Sequence, residues 1–468
     1  MSIDNEINGV SNSYVRWGRI MAFSNKELTA ELASRLGGAM GTLLDSKSTV
    51  MTARDYRRDS RALKRSFTGG LMASGIEIID LHAVPTSALQ FSVRRFGADA
   101  GVMFTRSHNL VGMVSIKLFD STGIEYESEK TKKIVEIAET QQIRRASPTE
   151  VGWLGVAEAM PIYDRALAGF FANKSKVLKE AKLRVVIDCG CGPASLIVPD
   201  LLNELNCDVI TLNAHRPKQP VNFPNPESLF RLRETVRTTG ADLGIALDAE
   251  ARHSIIIDSQ GRIRTPEETA SVNLHSRYEP NPNATVVIGE TVNPSVYKNL
   301  DKKIVFSPHG EPGGSARLVM QHRAIFGFND TGLYFLPVFS PGSDAIVASL
   351  TVLAQMATEA IKSTDLYQKH QIFPQRQAEV TFPLNKMLPF FRFFLNNPPN
   401  GYFAVDTFIG IKLITANNEW IHYHLATDQD TLQIEIFDPQ SNQKRQLEML
   451  SFARSLIENF FSSSFNTS

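Results

Sequence analysis

The sequence predicts an α/β protein with three tandem α/β domains and a fourth, C-terminal α+β domain. Strand-like and helix-like segments alternate through the first three quarters of the chain, which is typical of sheets covered by helices. After about Ile361 a polar linker leads into aromatic, β-rich sequence. The 468 residues are also too many for one core, because a domain usually holds ~100 to 200 residues.

The first predicted domain covers residues 1–150. Apolar residues repeat at helical spacing in three stretches, and short apolar runs between them indicate strands. The predicted helices are 28–44, 62–74 and 87–96, and the predicted strands are 49–53, 76–81, 100–104 and 113–119. This order predicts helices that cover a mixed sheet.

The second and third predicted domains cover residues 151–272 and 273–372. A long amphipathic helix over 149–178 is expected to lead into the second domain. The next predicted strands are 183–188, 208–212, 242–247, 285–289 and 303–307, and the helices are 194–205, 226–238, 314–321 and 343–361. The same alternation therefore continues through both domains.

The fourth predicted domain covers residues 373–468 and differs from the others. Its strands are expected at 401–405, 410–416, 420–425 and 432–437, and one closing helix is expected at 446–460. Strands that follow one another without intervening helices predict an antiparallel sheet. The sequence therefore predicts a small α+β domain here.

Charge and composition exclude several classes of partner. Lys plus Arg and Asp plus Glu both number 49, so no global field attracts nucleic acid. No apolar run approaches the ~20 residues that span a bilayer, and the polar N-terminus does not resemble a signal peptide. We therefore expect a cytoplasmic protein without a nucleic-acid or membrane partner.

The three cysteines, Cys189, Cys191 and Cys207, are expected to be buried thiols, because their number and spacing suit neither a zinc knuckle nor a disulfide framework.

The first motif that could carry chemistry is a serine after a predicted strand. Ser107 and His108 follow the strand expected at 100–104, and Lys117 lies on the next strand. A hydroxyl nucleophile at such a corner can hold a phosphoryl group only if cations or donors offset its charge. These three residues are the predicted catalytic set. The alternative is structural, since Ser107 and Asn109 are typical turn residues.

A basic run, Arg54-Asp55-Tyr56-Arg57-Arg58-Asp59, follows the strand predicted at 49–53. It is either a loop that faces a phosphate, with Arg57 as a predicted substrate ligand, or a solvated salt-bridge cluster, because two acids interrupt it. The sequence leaves both interpretations open.

The segment 105–109, Thr-Arg-Ser-His-Asn, followed by Ile-Lys-Leu-Phe-Asp at 116–120, resembles the active-site loop of the α-D-phosphohexomutases, the phosphoglucomutase and phosphomannomutase superfamily. These enzymes move phosphate between C1 and C6 of glucose or mannose phosphate. The resemblance covers essentially the whole chain and implies that the three α/β domains and the α+β domain are of the phosphohexomutase type. It also implies that Ser107 carries the phosphoryl group, that a metal neutralises it and that Lys117 assists proton transfer.

The resemblance further implies a Mg²⁺ loop at 248–253. The family has three aspartates at alternate positions there, which supply hard oxygen ligands. This chain has Asp248 and Glu250 but carries Arg252 at the third position, and His253 stands where the family has a phosphate-contacting arginine. Ser107, Asp248 and Glu250 are therefore the predicted metal ligands. Binding of Mg²⁺ is expected to be weak or absent, because Arg252 would repel it.

Two further loops resemble sugar-recognition loops of the family. The segment 326–333 aligns with a Gly-Gly-Glu-x-Ser-Gly-His pattern, which makes Asn329, Thr331 and Gly332 predicted sugar ligands. His309 belongs to a looser match with the other sugar-facing loop. The alternative for the first motif is an ordinary turn between two strands.

The phosphate-holding loop of the last domain would fall at 424–430. The family pattern is Arg-Pro-Ser-Gly-Thr-Glu-Pro, but this chain lacks the arginine and the glycine. Asp428 and Asp430 would also repel a phosphate. This is the sharpest departure from the family.

These departures predict a degenerate phosphohexomutase homologue with impaired catalysis. It would bind a sugar or sugar phosphate, or serve a regulatory role in carbohydrate or sugar-nucleotide metabolism. The alternative is an active phosphomannomutase or phosphoglucomutase that transfers phosphate within its substrate through phosphoserine at Ser107. The chain also resembles the degenerate mutase-like domain of sugar-nucleotide pyrophosphorylase fusions, which implies a nucleotidyltransferase partner by analogy.

Overall fold

The computed structural model describes residues 14–16, 18–106, 112–215, 224–276, 283–298, 300–308, 310–372, 374–407, 409–426 and 430–464. These residues form two compact units. The first unit contains the described residues up to Tyr163 together with Gly310–Gly314, and the second contains the others.

The first unit is built on a seven-stranded mixed sheet. Its strands are β1 (Val15–Arg16), β2 (Arg19–Phe23), β3 (Thr49–Arg54), β4 (Glu77–Ala83), β5 (Ala100–Arg106), β6 (Met113–Asp120) and β7 (Leu154–Val156). The helices are α1 (Ala30–Leu43), α2 (Arg58–Ala73), α3 (Thr86–Phe96) and α4 (Ser128–Thr140). The strand order is β1-β2-β6-β5-β3-β4-β7. Strand β3 pairs in parallel with β4 and β5, whereas β6 runs antiparallel to β5 and β2.

The second unit begins with a five-stranded sheet. Its elements are α5 (Met160–Phe170, which starts in the first unit), α6 (Ala172–Ala181), β8 (Arg184–Asp188), α7 (Val198–Glu204), β9 (Asp208–Leu212), α8 (Pro226–Thr239), β10 (Leu243–Leu247), β11 (Ser254–Asp258), β12 (Ile263–Arg264) and α9 (Pro266–His275). The strand order is β12-β11-β10-β8-β9. Strands β8, β9 and β10 are parallel, and the run of Ile residues in β11 returns antiparallel to β10.

A four-stranded sheet follows in the same unit. It contains β13 (Thr285–Gly289), β14 (Lys303–Ser307), β15 (Phe326–Phe328) and β16 (Tyr334–Phe335), with the helices α10 (Gly314–Gln321), α11 (Ala345–Glu359) and α12 (Ser363–Lys369). The strand order is β14-β13-β15-β16. Asp344 begins α11 because its carboxylate accepts the backbone N–H groups of Ile346 and Val347.

The last sheet is antiparallel and has five strands. Its elements are β17 (Arg376–Thr381), α13 (Leu384–Asn396), β18 (Tyr402–Asp406), β19 (Gly410–Thr415), β20 (Trp420–Leu425), β21 (Thr431–Phe437) and α14 (Gln443–Ser464). The strand order is β17-β21-β20-β19-β18. One face of this sheet packs an apolar core against α13 and α14, with Phe390, Tyr423 and Phe460 in ring contact. The predicted α/β architecture with a C-terminal α+β region is confirmed.

The helix predicted over 149–178 is wrong. Strand β7 occupies Leu154–Val156 and pairs in parallel with β4, and the helical part is divided into α5 and α6. Gly152 permits this arrangement, because a Cβ there would stand 1.8 Å from the carbonyl oxygen of Ile76. A strand after residue 150 thus belongs to the first sheet, while the four domain boundaries themselves stay predictions.

The three cysteines are buried and free, as predicted. Burial raises the pKa of the Cys189 thiol to about 12. Among the described residues, no single helix has both the length and the apolar character to cross a membrane. The bent pair α11 and α12, with 99° between them, passes the same test of length and composition.

Candidate functional site

The predicted serine loop lies between two strands of the first unit. Strand β5 ends at Arg106 and β6 begins at Met113. Thr105 pairs with Ser115 and Arg106 pairs with Val114, so the strands that precede and follow the segment belong to the same ladder. Ser107 and His108 fall outside the described residues, and their roles stay predictions.

Asp55 joins the ends of β3 and β5 next to that segment. Its carboxylate is buried and accepts the backbone N–H groups of Arg57 at 2.9 Å and Arg106 at 3.1 Å. Its own N–H donates to the carbonyl oxygen of Phe104 at 3.0 Å. Burial raises the pKa of Asp55, although Arg57 and Arg106 oppose this shift. Asp55 was not among the predicted site residues, although it is visible in the sequence as an acid inside the basic run.

Arg57 supports the start of β6. Its Nε donates to Asp59 Oδ1 at 2.9 Å, its Nη2 pairs with the same carboxylate, and its Nη1 donates to the carbonyl oxygen of Met113 at 2.9 Å. The structure thus supports the salt-bridge interpretation of the basic run. Substrate binding by Arg57 stays a prediction.

Lys117 lies on β6, opposite Met103, with 9% of its surface exposed. Ser115 is two residues earlier and therefore on the same face of the strand. Ser115 and its neighbour Thr105 are fully buried, and their hydroxyl oxygens accept or donate no hydrogen bond within the described part of the chain. The sheet therefore presents a buried polar face beside the serine segment, which sequence periodicity alone did not indicate.

The predicted metal loop connects β10 to β11 in the second unit. Asp248 Oδ1 accepts the N–H groups of Arg252 at 2.8 Å and His253 at 3.2 Å. Asp248 Oδ2 lies 3.0 Å from His253 Nδ1. Ala251 has a positive φ of 53°, which allows this tight turn. Both oxygens of Asp248 therefore hold the loop together.

This loop does not by itself fit Mg²⁺. That ion requires near-octahedral oxygen ligands. Asp248 and Glu250 are both buried, and within the described ranges no third carboxylate, imidazole or thiolate joins them at metal-ligand spacing. Arg252 is buried in the same loop. A Mg²⁺ site that uses Ser107, Asp248 and Glu250 stays a prediction.

The predicted sugar loop forms a closed turn between β15 and β16. Asn329 Oδ1 accepts the Thr331 hydroxyl at 2.7 Å and the N–H of Leu333 at 3.2 Å. Gly332 has a φ of 82°, a conformation that favours glycine. The turn that the sequence analysis gave as the alternative is therefore present. Sugar binding by Asn329, Thr331 and Gly332 stays a prediction, and His309 lies outside the described residues.

The metal loop and the sugar loop are neighbours within the second unit. His253 and Leu333 form an antiparallel bridge. The Ser343 hydroxyl donates to the carbonyl oxygen of Arg252 at 2.8 Å and accepts the N–H of Tyr334 at 2.9 Å. These contacts bring together two motifs that are 80 residues apart in the sequence.

Asp330, between the predicted sugar ligands, makes a buried ion pair that the sequence analysis missed. Lys412 of β19 is fully buried, and its Nζ lies 2.7 Å from Asp330 Oδ2 and 3.6 Å from Glu267 Oε1. The Thr291 hydroxyl donates to Asp330 Oδ1 at 2.9 Å. Burial lowers the pKa of Lys412, but Asp330 and Glu267 outweigh this effect and raise it above its usual value. The ammonium therefore stays charged and fixes the turn.

The predicted phosphate loop is described only at its two ends. Residues 427–429 lie outside the described residues. Asp430 is exposed, its carbonyl oxygen accepts the N–H of Phe382 at 2.8 Å, and its Oδ1 lies 3.4 Å from the N–H of Leu384. Asp430 thus helps to place the start of α13.

Comparison with known families identifies two matching domain models. Residues 18–145 match the phosphoglucomutase/phosphomannomutase α/β/α domain I. Residues 163–261 match the phosphoglucomutase/phosphomannomutase α/β/α domain II. These two ranges include the serine segment and the predicted metal loop.

Individual relatives extend the similarity. The chain is 33% identical to the "probable phosphoglucosamine mutase" of Pyrococcus abyssi over 78% of its own length and 82% of that protein. It is 26% identical to the phosphoglucomutase/phosphomannomutase of Thermococcus kodakarensis over 94% of its length and 97% of that protein.

The fold is also similar to solved structures. A phosphoglucomutase/phosphomannomutase family protein from Burkholderia thailandensis shares the fold with a TM-score of 0.69 and 18% identity, over 96% of this chain and 98% of that one. The phosphoglucomutase parafusin from Paramecium does so with a TM-score of 0.66 and 14% identity, over 96% and 95%. Together with the 33% identity to the Pyrococcus protein, these matches lead to one conclusion: the chain belongs to the phosphoglucomutase/phosphomannomutase family.

Proposed function

We propose that this protein is an active phosphohexomutase that moves a phosphate between C1 and C6 of a hexose or hexosamine phosphate through a phosphoserine at Ser107. The observation that carries the proposal is the frame around the serine segment. Asp55 joins the ends of β3 and β5, and the β5–β6 ladder pairs Arg106 with Val114, one on each side of 107–111 in the sequence. A nucleophile needs such a rigid support to meet its substrate in a reactive geometry.

The cationic residues of the frame suit a phosphoryl group. Arg57 lies next to the start of β6, Arg106 ends β5, and Lys117 follows on β6. Positive charge at the place where phosphate oxygens collect is the main requirement of phosphoryl transfer. The proposal assigns Lys117 to proton transfer and Ser107 to the phosphoryl group.

Relatives support this proposal over impaired catalysis. The similar proteins are named as phosphoglucosamine mutases or as phosphoglucomutase/phosphomannomutase, and they match over most of their length. An amino sugar phosphate is accordingly included in the substrate class that we propose.

A substrate panel tests the proposal. Glucose 1-phosphate, mannose 1-phosphate and glucosamine 1-phosphate are each offered with Mg²⁺ and a catalytic amount of the matching 1,6-bisphosphate, and formation of the 6-phosphate is measured. The proposal predicts turnover of at least one substrate by the wild type and none by Ser107→Ala. The matched control is Ser121→Ala, an exposed serine in the turn after β6, which should keep full turnover. Equal rates for Ser107→Ala and the wild type would contradict the proposal.

A second candidate is a sugar-phosphate-binding protein that has lost the reaction. It is favoured by the loop at 248–253, where both oxygens of Asp248 hold the turn and Arg252 is buried beside them. In that case calorimetry would detect binding of a hexose phosphate, while the panel above would give no product. Product formation would exclude this candidate.

The proposed cellular context is a carbohydrate pathway in the cytoplasm. The nucleotidyltransferase partner suggested by the resemblance to sugar-nucleotide pyrophosphorylase fusions stays a prediction. Size-exclusion chromatography of this chain mixed with a purified sugar-nucleotide nucleotidyltransferase tests it, and co-elution is the expected result.

A further inference from the structure

Two histidines and a glutamate come together on one face of the last sheet. His422 and His424 alternate along β20, and Glu435 on β21 lies directly opposite His422. Both imidazoles are buried, and the Glu435 side chain is 15% exposed. This face is the one opposite the apolar core, because Tyr423 between the histidines packs against α13.

The ligand atoms have the spacing of a metal site. Glu435 Oε1 lies 3.3 Å from His424 Nε2, and Glu435 Oε2 lies 3.7 Å from His422 Nδ1. One atom from each of the three residues lies within 4.8 Å of the others. A tetrahedral ion with bonds of ~2.0 to 2.1 Å places neighbouring ligand atoms about 3.3 Å apart. Small side-chain shifts would therefore complete the coordination.

The other nitrogen of each imidazole has a partner that orients the ring. His422 Nε2 lies 2.8 Å from the Thr407 hydroxyl, and His424 Nδ1 lies 3.1 Å from the carbonyl oxygen of Leu425. The carbonyl oxygen can only accept, so His424 Nδ1 carries the proton and Nε2 is left as the ligand atom. This is how metal-binding histidines are usually oriented. His424 Nε2 is buried and, despite its distance to Glu435, lacks the geometry of a hydrogen bond.

We propose that His422 Nδ1, His424 Nε2 and the Glu435 carboxylate bind a divalent transition-metal ion of the zinc class. Two imidazoles and one carboxylate are a ligand set that Zn²⁺ takes, with water in the fourth position. Glu435 is the most exposed of the three residues, so the water is expected on its side. Mg²⁺ is a poor occupant, because it prefers oxygen ligands over imidazole.

The charges around this histidine cluster can accommodate a divalent ion. Lys412 pairs with His422 across the β19–β20 ladder, and its ammonium opposes a second cation. Asp330 and Glu267 both contact that ammonium and offset its charge. Glu435 then supplies a further carboxylate for the metal. The site differs from the predicted Mg²⁺ loop both in its residues and in its donor chemistry.

Cobalt titration tests the proposal, because Co²⁺ replaces Zn²⁺ and absorbs visible light strongly only in low-coordinate sites. The titration uses the metal-free 468-residue chain with the double substitution Asp248→Asn and Glu250→Gln, which removes both carboxylates of the predicted Mg²⁺ loop. The expected result is an intense visible band that saturates at one Co²⁺ per chain. Zn²⁺ should abolish the band, and millimolar Mg²⁺ should not.

Single variants in the same background locate the site. His424→Gln and Glu435→Gln should each weaken Co²⁺ binding at least roughly tenfold. The control is His370→Gln, which removes an imidazole that lies beside His275 with ring centroids 5.2 Å apart. This control should leave the titration unchanged. Circular dichroism verifies that each variant is folded.

The competing arrangement is a metal-free ion pair between protonated His424 and Glu435. In that case Co²⁺ would give no saturable band, and the two site variants would titrate like the His370→Gln control. Either result would overturn the proposal. A band that disappears with His370→Gln but not with Glu435→Gln would also overturn it.

Discussion

Asp55 of the first unit and Asp330 of the second unit are buried carboxylates that are held in different ways. In the first unit, Asp55 accepts the backbone N–H groups of Arg57 and Arg106 at the ends of two strands. In the second unit, Asp330 pairs with the fully buried ammonium of Lys412. One carboxylate is thus held by neutral main-chain donors and the other by a second charge.

This difference predicts how each region responds to mutation. A neutral amide can replace a carboxylate that accepts main-chain N–H groups at moderate cost, because no opposite charge is left behind. Removal of one member of a buried ion pair leaves its partner charged and desolvated, which costs far more. The first arrangement ties the end of β3 to the end of β5, and the second ties the 329–333 turn to β19.

The largest effect is expected for Lys412→Met. Loss of the ammonium leaves Asp330 and Glu267 without its charge, and we expect the free energy of unfolding to fall by about 3 to 5 kcal/mol in urea denaturation. The control is Lys369→Met, whose ammonium pairs with Glu359 at the surface and should cost about 0 to 1 kcal/mol. Equal losses of unfolding free energy in the two variants would show that the buried ion pair contributes no more to stability than the surface pair.

The buried carboxyl group of Glu268, also in the second unit, predicts that stability depends on pH. Glu268 is buried near Arg264, and burial raises its pKa to about 7 even though Arg264 opposes the shift. A folded-state pKa above the unfolded value means that the stabilising contribution is complete below about pH 4.5 and is lost as the pH rises through about 7. We expect the free energy of unfolding to decrease by about 3 kcal/mol as the pH rises over this interval.

Glu268→Gln isolates that contribution. The amide cannot ionise but can still accept the N–H of Thr265, which the carboxylate accepts at 3.0 Å. The difference in unfolding free energy between wild type and variant should therefore change with pH between 4.5 and 7, and a constant difference would refute the prediction.

A smaller effect is expected for Asp55→Asn. The side-chain amide nitrogen of asparagine cannot accept a hydrogen bond, so one of the two hydrogen bonds from backbone N–H groups is lost or weakened. We expect the free energy of unfolding to fall by about 1 to 3 kcal/mol. We also expect mutase turnover to fall at least about tenfold. Asp99→Asn is the matched control, because Asp99 also accepts a main-chain N–H, from Thr49 at 2.8 Å, but is exposed and lies just before β5. Asp99→Asn should keep its turnover, and an equal loss in both variants would contradict a positioning role for Asp55.

The smallest effect is expected in the sugar loop. Thr331→Val removes the hydroxyl that donates to Asn329 and should cost about 1 kcal/mol in stability. If Thr331 binds the sugar, KM should rise while kcat changes little. Steady-state kinetics measure both values, and an unchanged KM would remove Thr331 from the predicted sugar ligands.

Many of the strands and helices could be predicted because their signals are local. The β-branched run of β8 and the long apolar repeat of α11 each indicate their own structure. The single helix predicted over 149–178 was wrong, because the helical periodicity of this segment extends across a three-residue strand, whose local signs are the glycines at 152 and 155. Parallel pairing with β4 decides that strand, and pairing is not a local property.

The candidate site was predictable only in part for the same reason. Asn329 was recognised as a turn residue, but the partner of its neighbour Asp330 is Lys412, 82 residues away. Asp55 stood in an identified motif, yet its second donor, Arg106, is 51 residues away. The alternation of His422 and His424 was visible in the sequence, whereas Glu435 joins them only through the strand register.

The most direct test of the proposed mutase is the phosphorylation state of Ser107. The wild type and Ser107→Ala are incubated with glucose 1,6-bisphosphate and Mg²⁺, and intact mass followed by peptide mapping locates any phosphate. We predict one phosphate on Ser107 in the wild type and none in the variant. A folded wild type that binds the bisphosphate but remains unmodified at Ser107 would contradict the proposal and favour a binding protein that has lost the reaction.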